Sequence, residues 1–288
     1  MTDPANQAAL PPGHTAKPTE IEERTDVYFT RPLGSLLTNV AAALRLTPTQ
    51  VTIVGTIVGV VAGALLYDQR FGLLAFALLF LHAILDSVDG QLARRTGQAS
   101  ELGRVLDGAS GYVTHMAIFI AVAAGHIHRG GSASILIWMV LAGISAAVHA
   151  LPYDYYRTAY AAVINLGRVR QNQPAQVRGP LRGAYETYSA IQRLIVGSHD
   201  EVGAALNARS RGEVASEEDR RRYRATFQPL VRGWNLLGDN TRRLAVGVLV
   251  CFHRIDLLFA FILVAMNAVF VAMWLLQRRA DRRFLAAL

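Results

Sequence analysis

Cysteine is almost missing from this 288-residue chain. Its one thiol, Cys251, sits inside an apolar run, so no intramolecular disulfide can form and nothing calls for an oxidising compartment. Charge is scarce too, at 17% of residues against 52% hydrophobic. That balance argues against a soluble, charge-coated domain and for a polytopic membrane protein with soluble appendages. The first 34 residues hold prolines and acids but no long apolar core, so they do not read as a secretory signal. Residues 1–31 are instead expected to form a disordered cytoplasmic tail.

What charge there is has a sign and a pattern. The formal net charge of +8 could point to nucleic acid, but the basic residues are unevenly spread. With the N-terminus inside, all but Arg70, Arg129 and Arg254 of the 29 lysines and arginines fall on the cytoplasmic side. The positive-inside rule therefore explains the charge as topology, and no nucleic-acid partner is expected. The inner cell membrane is the expected location, with both termini cytoplasmic.

Apolar periodicity predicts an all-α architecture. From Pro32 to Leu46, Leu33, Leu36, Leu37, Val40 and Leu44 recur at helical spacing, as in a helix lying in the membrane interface. The alternative is a soluble amphipathic helix packed on a later insert. Thr47, Pro48 and Gln50 form a capping box that starts the next helix. Six spans are expected: about Val51–Tyr67, Phe71–Asp89, Ser100–Gly125, Ala133–Pro152, Thr241–Phe252 and Ile255–Leu276. The fifth is short for a crossing. Gly55, Gly59 and Gly63 give the first span a small-residue face, serving intramolecular packing first and homodimerisation second. Residues 32–152 thus hold the interfacial helix and four spans, and residues 241–288 the last two spans and a basic tail. Between them, 153–240 reads as a cytoplasmic helical insert: a linker over about 173–183, a helix near Ala184–Val196, and another capped at Ser216. The last carries Tyr223, Phe227, Leu230, Val231 and Trp234 on one face.

The chain is organised around Asp86 to Gly111. Asp86 and Asp89 are three apart and share a helix face, and the expected end of their helix at Asp89 puts both in its last turn. Two carboxylates there repel each other and oppose the helix dipole. Asp107, near the start of the next helix, can come opposite them. Three carboxylates converging at a membrane boundary call for cations, and a hard divalent metal suits them.

This spacing resembles the signature of the CDP-alcohol phosphotransferase family, D-x-x-D-G-x-x-A-R, eight residues, G-x-x-x-D-x-x-x-D. Asp86, Asp89, Gly90, Ala93, Arg94, Gly103 and Asp107 match seven of its eight fixed positions, and Gly111 stands where the last aspartate belongs. The resemblance implies transfer of a substituted phosphate from a CDP-linked donor to an alcohol, releasing CMP. By that likeness Asp86, Asp89 and Asp107 hold two Mg²⁺ or Mn²⁺ ions. Gly90, Ala93, Arg94 and Gly103 meet the nucleotide, joined by Thr52 from a partial match to a Pro-Asn-x-x-Thr stretch. The expected donor is CDP-diacylglycerol and the acceptor a polar alcohol. A CDP-linked small alcohol with diacylglycerol as acceptor, or an inactive CDP-lipid-binding homologue, are the alternatives. In the family the missing aspartate helps hold the second metal and takes the acceptor proton. His115, one turn further along the same face, is the candidate replacement beside Asp107; the adjacent Tyr112 and metal-bound hydroxide are other options. His149, Asp154, Arg242 and Arg243 approach the same membrane face. Arg242 and Arg243 are placed to meet an anionic lipid or phosphorylated acceptor, or simply to anchor the helix.

Overall fold

The computed structural model describes residues 18–98, 100–168 and 182–288, and these divide into two compact units. One comprises Glu22–Tyr153 and Arg232–Trp274; the other comprises Asp154–Val231, Leu275–Leu288 and the residues up to Ile21. Helix is the only regular secondary structure among the described residues. Five helical stretches are long and apolar enough to cross a membrane: Pro48–Leu65, Gln69–Thr96, Val105–His128, Ile135–Leu166 and Ile255–Ala286.

The first-named unit opens with α1, Arg31–Ala43. Gly34, Thr38 and Ala41 are buried, and a Cβ at Gly34 would lie 3.0 Å from Ser87 Oγ and Gln91 Nε2 of α3, Gly72–Thr96. The large apolar residues Leu33, Leu36, Leu37, Val40 and Leu44 are exposed. Between these helices lies α2, Pro48–Leu65, begun by the expected capping box: Gln50 N–H donates to Thr47 Oγ1 at 3.2 Å, and Thr47 N–H to Gln50 Oε1 at 2.8 Å. Its glycine face is spent inside the chain. A Cβ at Gly55 would lie 3.3 Å from Leu85 Cβ, and one at Gly63 would lie 2.8 Å from the Ile118 backbone nitrogen of α4, Glu101–His128. Ser100 caps α4 by accepting from Gly103 N–H at 2.9 Å.

Three boundaries differ from the sequence reading. α3 does not stop at Asp89; it runs to Thr96 and closes at Gly97, whose φ of 69° suits a residue without a Cβ. Arg94 and Arg95 occupy its last turn, so the negative helix end meets cations rather than the two aspartates. α5, Ile135–Leu166, continues through Pro152. Beyond the proline, Tyr155, Tyr156, Ala159, Tyr160 and Val163 are all buried, and their packing outweighs the lost backbone hydrogen bond. The ordered chain also starts earlier than expected. Thr19–Ile21 and Asp26–Thr30 form short helical turns with Ile21 fully buried, while residues 1–17 of the expected tail lie outside the described residues.

The other unit holds α6, Arg182–Arg209, and α7, Glu217–Trp234, through Val231. Most of the expected linker lies outside the described residues. Ser216 caps α7 as expected, accepting from Asp219 N–H at 3.1 Å. Tyr223 and Phe227 are buried around His199, whose Nδ1 lies 2.8 Å from Asp281 Oδ1 and Nε2 2.8 Å from Tyr223 Oη. Ser198 Oγ and Gln277 Nε2 also donate to the Asp281 carboxylate, at 2.7 and 2.9 Å. Burial pushes the Tyr223 phenol well up from its ordinary range, so it stays neutral. Tyr160 Oη and Arg224 Nε donate to Glu20 Oε1 at 2.6 and 3.1 Å, tying the early turn to this unit.

After α7 the first unit resumes with α8, Asp239–Cys251, and α9, the helical run Ile255–Ala286, which is π-helical over Phe261–Met266 and belongs to this unit through Trp274. α8 packs closely on α3: a Cβ at Gly72 would meet Val250, and one at Gly247 would lie 2.6 Å from Phe76 Cε2. With 13 residues, α8 is about 20 Å long.

Candidate active site

Asp86 and Asp89 stand on α3 two turns before its end, and Asp107 stands on the second turn of α4. Packing of α2 between α3 and α4 brings the three into one electrostatic cluster. Asp86 feels the charges of Asp107, Asp89 and Arg243. Asp89 feels Asp107 and Arg94. Asp89 is buried and accepts from Thr52 Oγ1 at 2.6 Å, so the weakly matched threonine does reach the motif. Gly90 and Arg94 share one face: a Cβ at Gly90 would lie 3.4 Å from Arg94 Nη1. Ala93 is partly buried on the same helix. Gly103 serves the cap, where a Cβ would crowd Ser100 Oγ at 3.0 Å.

Among the described residues, no three His, Cys, Asp or Glu side chains are already drawn together as a metal cage. The donor set nevertheless suits a hard divalent cation, being all oxygen and carrying three like charges within range of one another. Asp86, Asp89 and Asp107 are the residues that would hold it.

A cavity of about 60 Å³ opens beside Asp86. Gly111 and His115 line it from α4, His82 from α3, and Asp239, Arg242 and Arg243 from α8. His115 Nδ1 is 2.8 Å from the Gly111 carbonyl, and its Nε2 is 3.5 Å from Asp239 Oδ1. Asp239 also accepts from Arg242 Nη1 at 2.7 Å. A Cβ at Gly111 would meet nothing within 4 Å. Thr114 Oγ1 is buried without a hydrogen-bond partner. His149 is not among the lining residues; its Nε2 lies 2.8 Å from Asn267 Oδ1. Asp154 belongs to the other unit.

Sequence reasoning missed Asp239 and His82. Asp239 had one available signal, an acid in the first turn of a helix that begins Asp-Asn-Thr-Arg-Arg. His82 had none, because a lone histidine in an apolar run is ordinarily packing, and its Nδ1 here does meet the Gly55 carbonyl at 2.9 Å.

Membrane-length helices that carry an acidic cluster beside a cavity with two arginines on its wall mark out the class: an all-helical, integral membrane protein. Residues 45–184, just under half of the chain, match the family model described as CDP-alcohol phosphatidyltransferase. It is 36% identical over 88 residues to an archaetidylinositol phosphate synthase of Pyrococcus horikoshii, covering 31% of this chain and 46% of that protein. It is 29% identical over 128 residues to a phosphatidylinositol phosphate synthase of Mycobacteroides abscessus, covering 44% of this chain and 56% of the relative. The chain thus spans about half the length of these curated relatives. No solved structure matches it.

Proposed function

We propose that this protein moves a phosphatidyl group from CDP-diacylglycerol to a polar alcohol and releases CMP. The observation that carries the reading is the meeting of Asp86 with both the motif carboxylates and the arginine-walled cavity. Three carboxylates suit the counter-ions of a diphosphate, and Arg94, folded back over Gly90, is suited to a phosphate oxygen. A bound Mg²⁺ or Mn²⁺ supplies charge neutralisation of the diphosphate and stabilises the departing CMP. Arg242 and Arg243 give the cavity a positive wall, which favours an acceptor that itself carries phosphate. The names of both relatives, synthases of inositol phosphate lipids, support an inositol phosphate as that acceptor.

In the membrane, α8 with its flanking turns makes a short sixth crossing, and the exposed apolar face of α1 lies in the interface. Both termini and the region around α6 and α7 face the cytoplasm, where nucleotide-activated lipid is made. The distribution of arginine supports this orientation.

The test follows CMP release from labelled CDP-diacylglycerol in membranes supplied with inositol, inositol phosphate, glycerol phosphate or serine. Release that depends on inositol phosphate is the expected result. Release with diacylglycerol and a CDP-linked small alcohol would reverse the lipid partner, and binding of CDP-lipid without release under any acceptor would make the protein an inactive homologue.

A further inference from the structure

Gly111 leaves the family pattern without its last carboxylate, and the space it vacates is real: a Cβ there would touch nothing within 4 Å, and the residue lines the cavity beside Asp86. The same cavity receives two groups that the motif does not contain. His115 enters from the next turn of α4, with its Nδ1 2.8 Å from the Gly111 carbonyl. A carbonyl oxygen can only accept, so Nδ1 carries the hydrogen and the Nε2 lone pair of the neutral ring is left for the cavity. Asp239 enters from α8, its Oδ1 3.5 Å from that Nε2 and its side chain 48% exposed. It lies 132 positions beyond Asp107, outside the matched residues 45–184.

We propose that His115 and Asp239 together perform the proton transfer for which Gly111 has no side chain. The inference rests on the phosphotransferase reading above. His115 is the catalytic base, and Asp239 is a positioning residue that steadies the imidazolium as it forms. The acceptor O–H bond breaks as its oxygen bonds to the phosphatidyl phosphorus. The P–O bond to CMP breaks, with its electron pair leaving on CMP. The proton rests on Nε2, opposite the Asp239 carboxylate, until water removes it. Gly111 contributes through its backbone by fixing the tautomer, and its missing side chain clears the path between His115 and the acceptor. The other charged and titratable groups facing His115 are Arg242 and Arg243 from α8, and His82 and Asp86 from α3.

Four measurements on the full chain test this. In CMP release with inositol phosphate, His115→Gln should lower kcat by about 100-fold with KM for the acceptor little changed. Gly111→Asp added to His115→Gln should restore at least tenfold, with the acid limb of the pH–rate profile moved to lower pH as a carboxylate replaces an imidazole. Asp239→Asn should cost about tenfold in kcat, and Asp239→Glu should recover part of it. In a ¹⁵N-histidine spectrum of the detergent-solubilised protein, the resonance lost in His115→Gln should belong to an Nδ1–H tautomer at alkaline pH. Full activity in His115→Gln, or an Nε2–H tautomer in the wild type, overturns the proposal while leaving the phosphotransferase reading intact. No CMP release by the wild type with any acceptor removes that reading and this step with it.

Discussion

His199 and His115 each face an aspartate, Asp281 at 2.8 Å and Asp239 at 3.5 Å, under opposite conditions. His199 is closed on both sides. Its second nitrogen meets Tyr223, its carboxylate partner takes two further hydrogen bonds, and His199, Tyr223, Gln277 and Asp281 are all buried. Every strong donor and acceptor has a mate, which is how a buried polar network holds a core together. The site around Asp86 is open and unbalanced. Three carboxylates crowd one another, Asp239 is half-exposed, and Thr114 Oγ1 has no partner. Aspartate and histidine therefore do not mark function by type. Unspent charge beside a cavity marks it.

The sharpest way to break that contrast is to neutralise one acid in each cluster. Asp86→Asn, Asp89→Asn or Asp107→Asn should each lower CMP release by about 10³-fold, and a chelator should match them. Their unfolding midpoints in detergent should hold or rise, because like-charge repulsion is relieved. Turnover surviving in chelator would remove the carboxylates' role as cation ligands. In the other unit, His199→Ala should cost about 3 kcal/mol of stability by stranding Asp281 and Tyr223, read by thermal unfolding, with kcat of the folded fraction changed less than twofold or so. A large loss of kcat without loss of stability would give that cluster a chemical role.

Two glycines sharpen the comparison within a single unit. Gly63→Ala forces a Cβ to within 2.8 Å of the Ile118 backbone nitrogen and should destabilise by about 1–3 kcal/mol. Gly111→Ala meets open space in mid-helix and should stabilise by about 0.5–1 kcal/mol, the smallest effect of the set. A destabilising Gly111→Ala would mean that the cavity beside it is filled by protein. Both are read as shifts in unfolding midpoint.

The motif, the two caps and the membrane-length helices were legible because each depends on residues close together in the chain. Thr47 and Gln50 cap one another across three residues, and Ser216 caps Asp219 the same way. The carboxylate spacing needs only helical periodicity to put Asp86 and Asp89 on one face. Helix ends were less legible, since propensity competes with packing. Pro152 signals a stop that the buried tyrosines beyond it override, and α3 outruns Asp89 because Gly97, not the acids, supplies its terminus. The chain by itself thus determined a helical membrane protein with a three-aspartate motif and a vacancy at Gly111. Only the tertiary structure could decide what faces that vacancy. The contact between His115 and Asp239 joins residues 124 positions apart, on α4 and α8. No local pattern encodes such a pairing, because it is set by how side-chain volumes fit between helices rather than by their order along the chain.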